Sequence, residues 1–213
     1  MKVTPLFYAE PYCRNYVIGE EGGECAIIDF GAPSGELLLH YLAKHHSKCK
    51  ALLLTHGHFD HICGLIGVEE KIDFPVYIAS EDQCCLSDPR LNGSTSFGLP
   101  EVIVDDGKLN IKNFDDGEEI DLGFAKLKAI KTPFHTLGSS IFLLGEESLF
   151  TGDSVFRYGI GRMDLPHAAP RMLSKSMAKI KAIQGNPKIY PGHGPSSFLS
   201  DEKQGNPYFS YRY

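Results

Sequence analysis

The stretch "LLLTHGHFDHICG", residues Leu52 to Gly64, places three histidines and an aspartate close together, directly behind an apolar run. The run predicts a buried strand that delivers His56 and His58 at its C-terminal end, where sites in α/β architectures tend to form. Residues two apart on an extended segment point the same way, so these two histidines can bind one ion together. Asp60 and His61 follow after a turn. Imidazole and carboxylate ligands suit Zn²⁺, Fe²⁺ or Mn²⁺, and the stretch therefore predicts a metal site.

Three further residues of the ligand type stand at the ends of other predicted strands. His135 occurs in "KTPFHTLGSS", Asp153 in "LFTGDS" and His193 in "KIYPGHGPSS". Each lies near Gly or Pro, which make tight turns and allow the backbone to approach an ion. A single His or Asp in a turn is more often structural. Four separate strand ends that all carry ligand-type residues favour one shared metal centre.

Short apolar runs rich in β-branched residues recur between turn residues and predict the strands of the fold. The predicted strands cover residues 15–19, 25–31, 51–55, 75–80 and 126–132, and "SIFLLG" with "SLFTGD" predicts a hairpin. Mixed strands and helices throughout, without a linker or an internal repeat, predict an α/β or α+β protein of one domain.

Two helices are predicted between these strands. The first has Ser34 as a possible N-cap. Its common face is predicted to comprise Leu37, Leu38, Tyr41, Leu42 and His45. The second helix begins at Pro170 and ends near Gly185. Its inner side is predicted to comprise Leu173, Met177 and Ile180.

The composition narrows the class of protein. The 213 residues, 42% hydrophobic and 23% charged, are typical of an ordinary soluble globular protein. A formal net charge of -6 disfavours nucleic acid as a partner, because phosphate contacts need a basic face. The N-terminal stretch lacks the apolar core of a signal peptide, and no apolar run approaches membrane-spanning length. The six cysteines form no CxxC and favour reduced thiols, so a cytoplasmic protein without a membrane partner is expected.

The segments "THGHFDH", "TPFHTLGS", "LFTGDSVF" and "YPGHG" together resemble the metallo-β-lactamase superfamily, specifically its glyoxalase II-like (hydroxyacylglutathione hydrolase-like) branch. The motifs run from Asp29 to His193 in the order of the family. The resemblance implies a four-layer αββα sandwich, one domain over residues 1–213 and a dinuclear site at one edge of the two sheets. The chain resembles the short form of the branch, which lacks a C-terminal helical domain, and "EKQGNP" is similar to the end of shorter bacterial-type relatives.

The resemblance also implies a ligand set. One metal ion would be bound by His56, His58 and His135, the other by Asp60, His61 and His193, with the Asp153 carboxylate bridging both. Asp29, in "IDFG", is implied either to orient a ligand histidine or to be a turn residue at the end of a strand. Two divalent ions are expected, with zinc as the first choice and iron or manganese as alternatives.

The implied activity is hydrolysis of a thioester, most simply an S-acylglutathione. Two ions hold a bridging hydroxide, which attacks the carbonyl carbon of a small-molecule thioester. Asp60 would bind metal and accept a hydrogen bond from this nucleophile. A thiolate leaves readily, so no strong general acid is needed. A β-lactamase role is weaker, because no signal peptide directs the chain to the periplasm.

Substrate contacts are less well defined. Phe134 stands where the family usually has Gly, and it is expected to narrow or reshape the pocket wall. In "FRYGIGRMDLP", Arg162 could meet a substrate carboxylate with Asp164 holding it, or the two could form an internal ion pair. Tyr158 could line the pocket or pack against the protein. The same alternatives apply to the aromatic residues of the C-terminus, namely Tyr208, Phe209, Tyr211 and Tyr213.

A second activity fits the same motifs. Persulfide dioxygenases resemble this branch, including its Gly-Arg-x-Asp segment, yet bind a single iron. That resemblance would assign His56, His135 and Asp153 to a triad of two histidines and one carboxylate, with positions open for oxygen and a thiol-type substrate. The metal content of the native protein would discriminate between the two activities.

Overall fold

Six strands in the first half of the chain form one sheet in chain order. The computed structural model describes residues 1–46 and 48–210, and its first unit runs from Met1 to Phe114. Its strands are β1 (Val3–Leu6), β2 (Asn15–Ile18), β3 (Glu24–Ile28), β4 (Lys48–Leu53), β5 (Val76–Tyr77) and β6 (Ile111–Lys112). Strands β1 to β3 are antiparallel neighbours, whereas β3 to β6 pair in parallel. The carboxyl ends of β3, β4 and β5 therefore meet at one edge of the sheet.

The helical elements of this unit are short. Helix α1 (Gly35–His45) connects the parallel strands β3 and β4, and α2 (Phe59–Ile62) is a single turn. Three-residue to six-residue 3₁₀ turns cover Cys63–Leu65, Glu69–Lys71, Ser80–Cys85, Ser94–Phe97 and Asp106–Lys108. The strand predicted over residues 75–80 is shorter than expected, because a 3₁₀ turn begins at Ser80.

Helix α1 buries a narrower face than the sequence predicts. Leu38 and Leu42 are buried in the apolar cluster of this unit, and Leu37 is 49% exposed, so its predicted place on that face is wrong. Successive helical residues are rotated by about 100°, which turns Leu37 away when Leu38 and Leu42 face the sheet.

This difference gives a matched pair of substitutions. Leu38→Ala is expected to lower the free energy of unfolding by about 2–5 kcal/mol, because the lost side chain leaves a cavity in the core. Leu37→Ala, one residue away, is expected to change it by no more than about 0.5 kcal/mol. Urea unfolding of the two variants measures both values. Equal losses would contradict the described burial of α1.

The second unit begins at Asp115 and contains its own six-stranded sheet. Its strands are β7 (Glu119–Asp121), β8 (Lys126–Lys131), β9 (Ser140–Leu144), β10 (Ser148–Gly152), β11 (Lys188–Pro191) and β12 (Ser197–Phe198). Strand β9 is antiparallel to both β8 and β10, and β10 is parallel to β11. Strands β8, β10 and β11 therefore run in one direction, and their carboxyl ends meet at the same edge.

The predicted hairpin and the second predicted helix are confirmed. Strands β9 and β10 pair with Leu144 opposite Ser148. A 3₁₀ turn at Pro170–Met172 leads into α3 (Leu173–Ala182), and α4 (Leu199–Gly205) follows β12. The inner residues of α3 are buried as predicted, namely Leu173, Met177 and Ile180. Strands β1, β6, β7 and β12 were not predicted, since each is too short to show a clear period.

Two predictions about the whole chain are only partly addressed by this architecture. The prediction of one domain over residues 1–213 stays a prediction, because the structure is described as two units. Among the described residues, no helix combines the length and the apolar character that a membrane crossing requires.

Candidate metal centre

A buried carboxylate organises the strand ends of the first unit. Asp29 follows β3 in a left-handed conformation, with φ of 60°. Its carboxylate accepts hydrogen bonds from the backbone N–H of Thr55 at 2.7 Å and from the Thr55 hydroxyl at 2.9 Å. Its Oδ2 also lies 3.0 Å from Nδ1 of His61, with both side chains almost fully buried. A carboxylate can only accept, so a neutral His61 carries its proton on Nδ1 and presents the lone pair of Nε2.

The three histidines of the opening stretch lie against one another in this unit. The ring centroid of His56 is 4.9 Å from that of His58 and 4.0 Å from that of His61. The Oδ2 atom of Asp60 lies 3.7 Å from Nε2 of His61. All three imidazoles are buried. The four predicted ligands of the first unit are therefore brought together by the turn after β4.

Asp82 is a buried residue of this edge that the sequence analysis did not identify. Its Oδ2 accepts a hydrogen bond of 2.9 Å from the N–H of Gly57, between the two leading histidines. A side chain at Gly57 would have its Cβ 2.5 Å from that of Cys85, so the turn requires glycine. Asp82 follows β5 at the same edge of the sheet as Asp29, and this position could have identified it from the sequence.

Two cysteines beside this cluster, Cys13 and Cys63, have thiols whose pKa is raised. Burial raises the pKa of Cys13 to about 12, with the Asp29 carboxylate adding to the rise and His61 opposing it. Burial likewise raises the pKa of Cys63 to about 11, and its Sγ donates to the carbonyl oxygen of Ala32 at 3.5 Å. Both thiols therefore border a cluster whose other donor atoms are nitrogen and oxygen.

In the second unit, one carboxylate lies between two imidazoles. Asp153 follows β10, and its Oδ2 lies 3.4 Å from Nε2 of His135 while its Oδ1 lies 3.9 Å from Nε2 of His193. The two histidines follow β8 and β11, so the three strands that run in one direction each supply one group. One carboxylate oxygen facing each imidazole is the arrangement that a bridging ligand would need.

The tautomer of His135 is also set by its neighbours. Its Nδ1 lies 2.6 Å from the carbonyl oxygen of Arg162. A carbonyl oxygen only accepts, so Nδ1 donates and Nε2 is left as the atom that faces Asp153. Both His61 and His135 thus present Nε2 in the form that a metal ion requires, and the donor set of each unit fits a divalent ion.

The candidate substrate residues lie in the segment that follows Asp153. Arg162 and Asp164 form an exposed bidentate ion pair with two contacts of 2.7 Å, which is the internal pair foreseen as one alternative. The Arg162 guanidinium lowers the pKa of Asp164 to about 2. Tyr158 is half exposed and lies under the Arg157 guanidinium at 5.5 Å.

Phe134 is fully buried in the apolar cluster of the second unit. Its ring therefore extends the core of this unit, and the expectation that it narrows or reshapes a pocket wall stays a prediction. At the C-terminus, Phe209 belongs to the same cluster and Tyr208 packs against it. Tyr211 and Tyr213 lie outside the described residues.

In this two-sheet α/β protein, the ends of parallel strands present imidazole and carboxylate groups. This arrangement is typical of metal-binding α/β enzymes. The sequence pattern of the metallo-beta-lactamase superfamily matches residues 10–193, and the chain belongs to this superfamily. Its members use divalent metals. The chain is therefore a member of a family of metal-dependent hydrolases.

Two relatives cover almost the whole chain. "Probable metallo-hydrolase YqgX" of Bacillus subtilis is 32% identical, over 88% of this chain and 88% of its own length. "Hydroxyacylglutathione hydrolase GloC" of Haemophilus influenzae is 29% identical, over 99% of this chain and 98% of its own length.

Solved structures agree with the fold class predicted from the sequence. The "BLEG-1 B3 metallo-beta-lactamase" structure has a TM-score of 0.87 and 27% identity and covers 99% of this chain and 100% of its own. The structure of "TTHA1623 in a di-iron-bound form" has a TM-score of 0.80 and 28% identity and covers 97% of this chain and 100% of its own. The structure of "ETHE1 from Myxococcus xanthus" has a TM-score of 0.73 and 25% identity and covers 97% of this chain and 84% of its own. The predicted metallo-β-lactamase fold class, mixed α/β with two sheets and few helices, is confirmed.

Gly161 offers a test of the candidate metal ligands in the second unit. Its N–H donates to the carbonyl oxygen of Asp153 at 2.8 Å, and a Cβ here would lie 2.8 Å from Nδ1 of His135. Gly161→Ala is therefore expected to displace the imidazole and to weaken metal binding by about 10-fold or more. Zinc retained after dialysis, with circular dichroism to check folding, measures the effect. Gly159→Ala is the matched control, because a Cβ at Gly159 meets nothing within 4 Å. Equal zinc in both variants would contradict this role for Gly161.

Proposed function

We propose that this protein hydrolyses a thioester, with an S-acylglutathione as its substrate, in the manner of the glyoxalase II-like branch. The observation that carries the proposal is the Asp153 carboxylate between His135 and His193, together with neighbours that fix the ligand tautomers. The 29% identity to the GloC protein, over nearly the full length of both chains, supports the substrate class.

The proposed centre combines the ligands of both units into one dinuclear site within a single domain over residues 1–213. Its ligands would be His56, His58 and His135 for one ion, Asp60, His61 and His193 for the other, and Asp153 for both. The match of the superfamily pattern to residues 10–193 supports this combination, because that range spans every one of these residues.

The chemistry divides between the bound metal and the chain. Two divalent ions, which we propose to be zinc, would be held by these residues and would supply the Lewis acidity that activates a water molecule. Asp60 accepts a hydrogen bond from the attacking water and orients it towards the thioester carbonyl. Asp29 keeps His61 in the required tautomer, and the Arg162 carbonyl does the same for His135. A thiolate needs no strong general acid to leave.

The remaining assignments rest on the sequence. We propose that the Arg162 side chain, held by Asp164, meets a carboxylate of the substrate, and that Tyr158 borders the same place. The partner would be a small-molecule thioester, with neither nucleic acid nor membrane involved, and the protein would act in the cytoplasm. The exposure of the Arg162–Asp164 pair leaves the guanidinium accessible to an anionic substrate.

The test is a thioester panel on protein whose bound metal is quantified in the same sample. S-lactoylglutathione, a thioester without the glutathione moiety and a β-lactam are compared at equal concentration. Hydrolysis of S-lactoylglutathione with a kcat/KM at least about 10-fold above the other two would support the proposal. Metal-loaded protein that turns over the β-lactam but no thioester would refute it.

A single-iron persulfide dioxygenase is the second candidate. His135 and Asp153 lie together in one unit, and with His56 they would supply two histidines and one carboxylate. The similar structure of TTHA1623 in a di-iron-bound form makes iron a relevant metal for this fold. Protein purified with about one iron per chain, together with oxygen uptake on glutathione persulfide, would favour this candidate over the hydrolase.

A further inference from the structure

Two buried polar side chains near the C-terminus hold the turn that follows Asp153. Glu202 lies in α4 and Asn206 caps its end, and neither side chain is more than 1% exposed. Oε2 of Glu202 accepts the backbone N–H of Tyr158 at 2.8 Å. The amide Nδ2 of Asn206 donates to the carbonyl oxygen of Gly159 at 2.9 Å and to Oε2 of Glu202 at 3.0 Å.

The turn that these side chains hold is tight and strained. Phe156 and Gly159 exchange backbone hydrogen bonds of 2.9 and 3.2 Å, and Tyr158 between them has φ of 60°. A bulky residue in the left-handed region persists only where its surroundings determine it. The hydrogen bonds of the two polar side chains fix this conformation. Gly205 makes room for the Tyr158 ring, since a Cβ at Gly205 would lie 2.8 Å from that ring.

The same turn sets the positions of two proposed metal ligands. Directly after it, the N–H of Gly161 donates to the carbonyl oxygen of Asp153 at 2.8 Å. The carbonyl oxygen of Arg162 then accepts Nδ1 of His135 at 2.6 Å. A shift of the turn would therefore move the groups that fix the backbone of Asp153 and the tautomer of His135.

We propose that Glu202 and Asn206 are positioning residues for the metal centre, acting through the Phe156–Gly159 turn on Asp153 and His135. The inference rests on the proposed function, because it assumes that these two residues bind metal. Burying a carboxylate is costly, and in the described part of the chain Oε1 of Glu202 has no hydrogen-bond partner. The polar contacts that these two side chains do make are directed at the turn and at each other.

The test compares zinc retention in matched variants of the full-length protein. Asn206→Ala removes the donors to the turn, whereas Leu199→Ala removes a fully buried apolar side chain from the same helix and none of these hydrogen bonds. Both are expected to lower Tm by roughly 5–15 °C. Zinc release to a chelator is measured well below either Tm, with bound zinc counted at the start.

Asn206→Ala is expected to release zinc about 10-fold or more faster than the wild type, and Leu199→Ala within about 3-fold of it. Equal release rates in the two variants would overturn the inference. Oε2 of Glu202 accepts both the N–H of Tyr158 and Nδ2 of Asn206. Glu202→Met has a side chain of similar length without this oxygen and removes both hydrogen bonds, so an acceleration of about 3-fold or more is expected. If Asn206→Ala does not fold, Glu202→Met decides the question, and a wild-type rate in that variant would overturn the proposal.

Zinc release is measured without substrate, so the two proposals fail separately. Failure of the proposed function would appear as wild-type protein that retains zinc but hydrolyses no thioester. Failure of the inference would appear as unchanged zinc release in the variants, whatever the substrate.

Discussion

Asp153→Ala is expected to reduce bound metal from two equivalents to one or fewer and to lower kcat/KM for the thioester by about 10³-fold or more. The carboxylate faces Nε2 of both His135 and His193, at 3.4 and 3.9 Å. Its removal leaves two imidazoles without the only anionic group described beside them in their unit. Metal analysis and steady-state kinetics on the same preparation measure both effects.

The control for this substitution is an acidic residue of the same unit that pairs with the first residue of β8, at the opposite end of that strand from His135. Asp121 lies in β7, where its exposed carboxylate is paired with Lys126 at 3.5 Å. Asp121→Ala is expected to keep metal content and activity within about 2-fold of the wild type, because an exposed ion pair contributes little. Full activity in Asp153→Ala after loss of metal would contradict a metal-dependent mechanism.

Asp29→Asn is expected to weaken metal binding by about 10–100-fold while leaving the strands of the first unit in place. An asparagine has one acceptor oxygen and one NH₂ group. If the oxygen keeps the bonds from Thr55, the NH₂ group faces Nδ1 of His61 and favours the tautomer that protonates Nε2. That nitrogen then cannot bind metal. Isothermal titration of the metal-free protein with zinc measures the loss.

Two further variants make this second experiment specific. Asp73→Asn changes an exposed aspartate of the same unit and is expected to bind zinc as the wild type does. Asp29→Ala removes the acceptor for the Thr55 N–H as well, and it is expected to lose about 1–3 kcal/mol of stability in addition to metal affinity. Wild-type zinc affinity in Asp29→Asn would show that Asp29 is only a turn residue at the end of β3.

Much of the fold could be predicted because it depends on local periodicity. The hairpin of β9 and β10 and the inner face of α3 were visible as alternating and helical patterns. Leu37 was wrongly predicted to lie on the buried face of α1. A sequence pattern does not distinguish an apolar residue at the margin of a helix face from one at its centre. Phe134 was expected to narrow or reshape a pocket wall, and the packing of the second unit adds that its ring is buried in the apolar core.

For the candidate site, the sequence predicted the candidate donor residues but few of the groups that hydrogen-bond with them. Asp82 and the Glu202–Asn206 pair were missed, because an isolated acid after a strand or in a short helix resembles a solvated surface group. Asp29 was recognised only through its motif, with its two possible roles left open. Its contact with His61 is a property of the folded chain.

The sequence by itself determined the donor types, their positions after strand ends and the superfamily, since these depend on neighbouring residues along the chain. The tertiary structure decided which groups touch: Asp29 with His61, Asp82 with Gly57, and Glu202 with Tyr158, at separations of 32, 25 and 44 residues. Local patterns carry no information about such distances. The paths of the parallel strands and of their crossovers bring these residues together, and those paths are fixed by the packing of whole sheets.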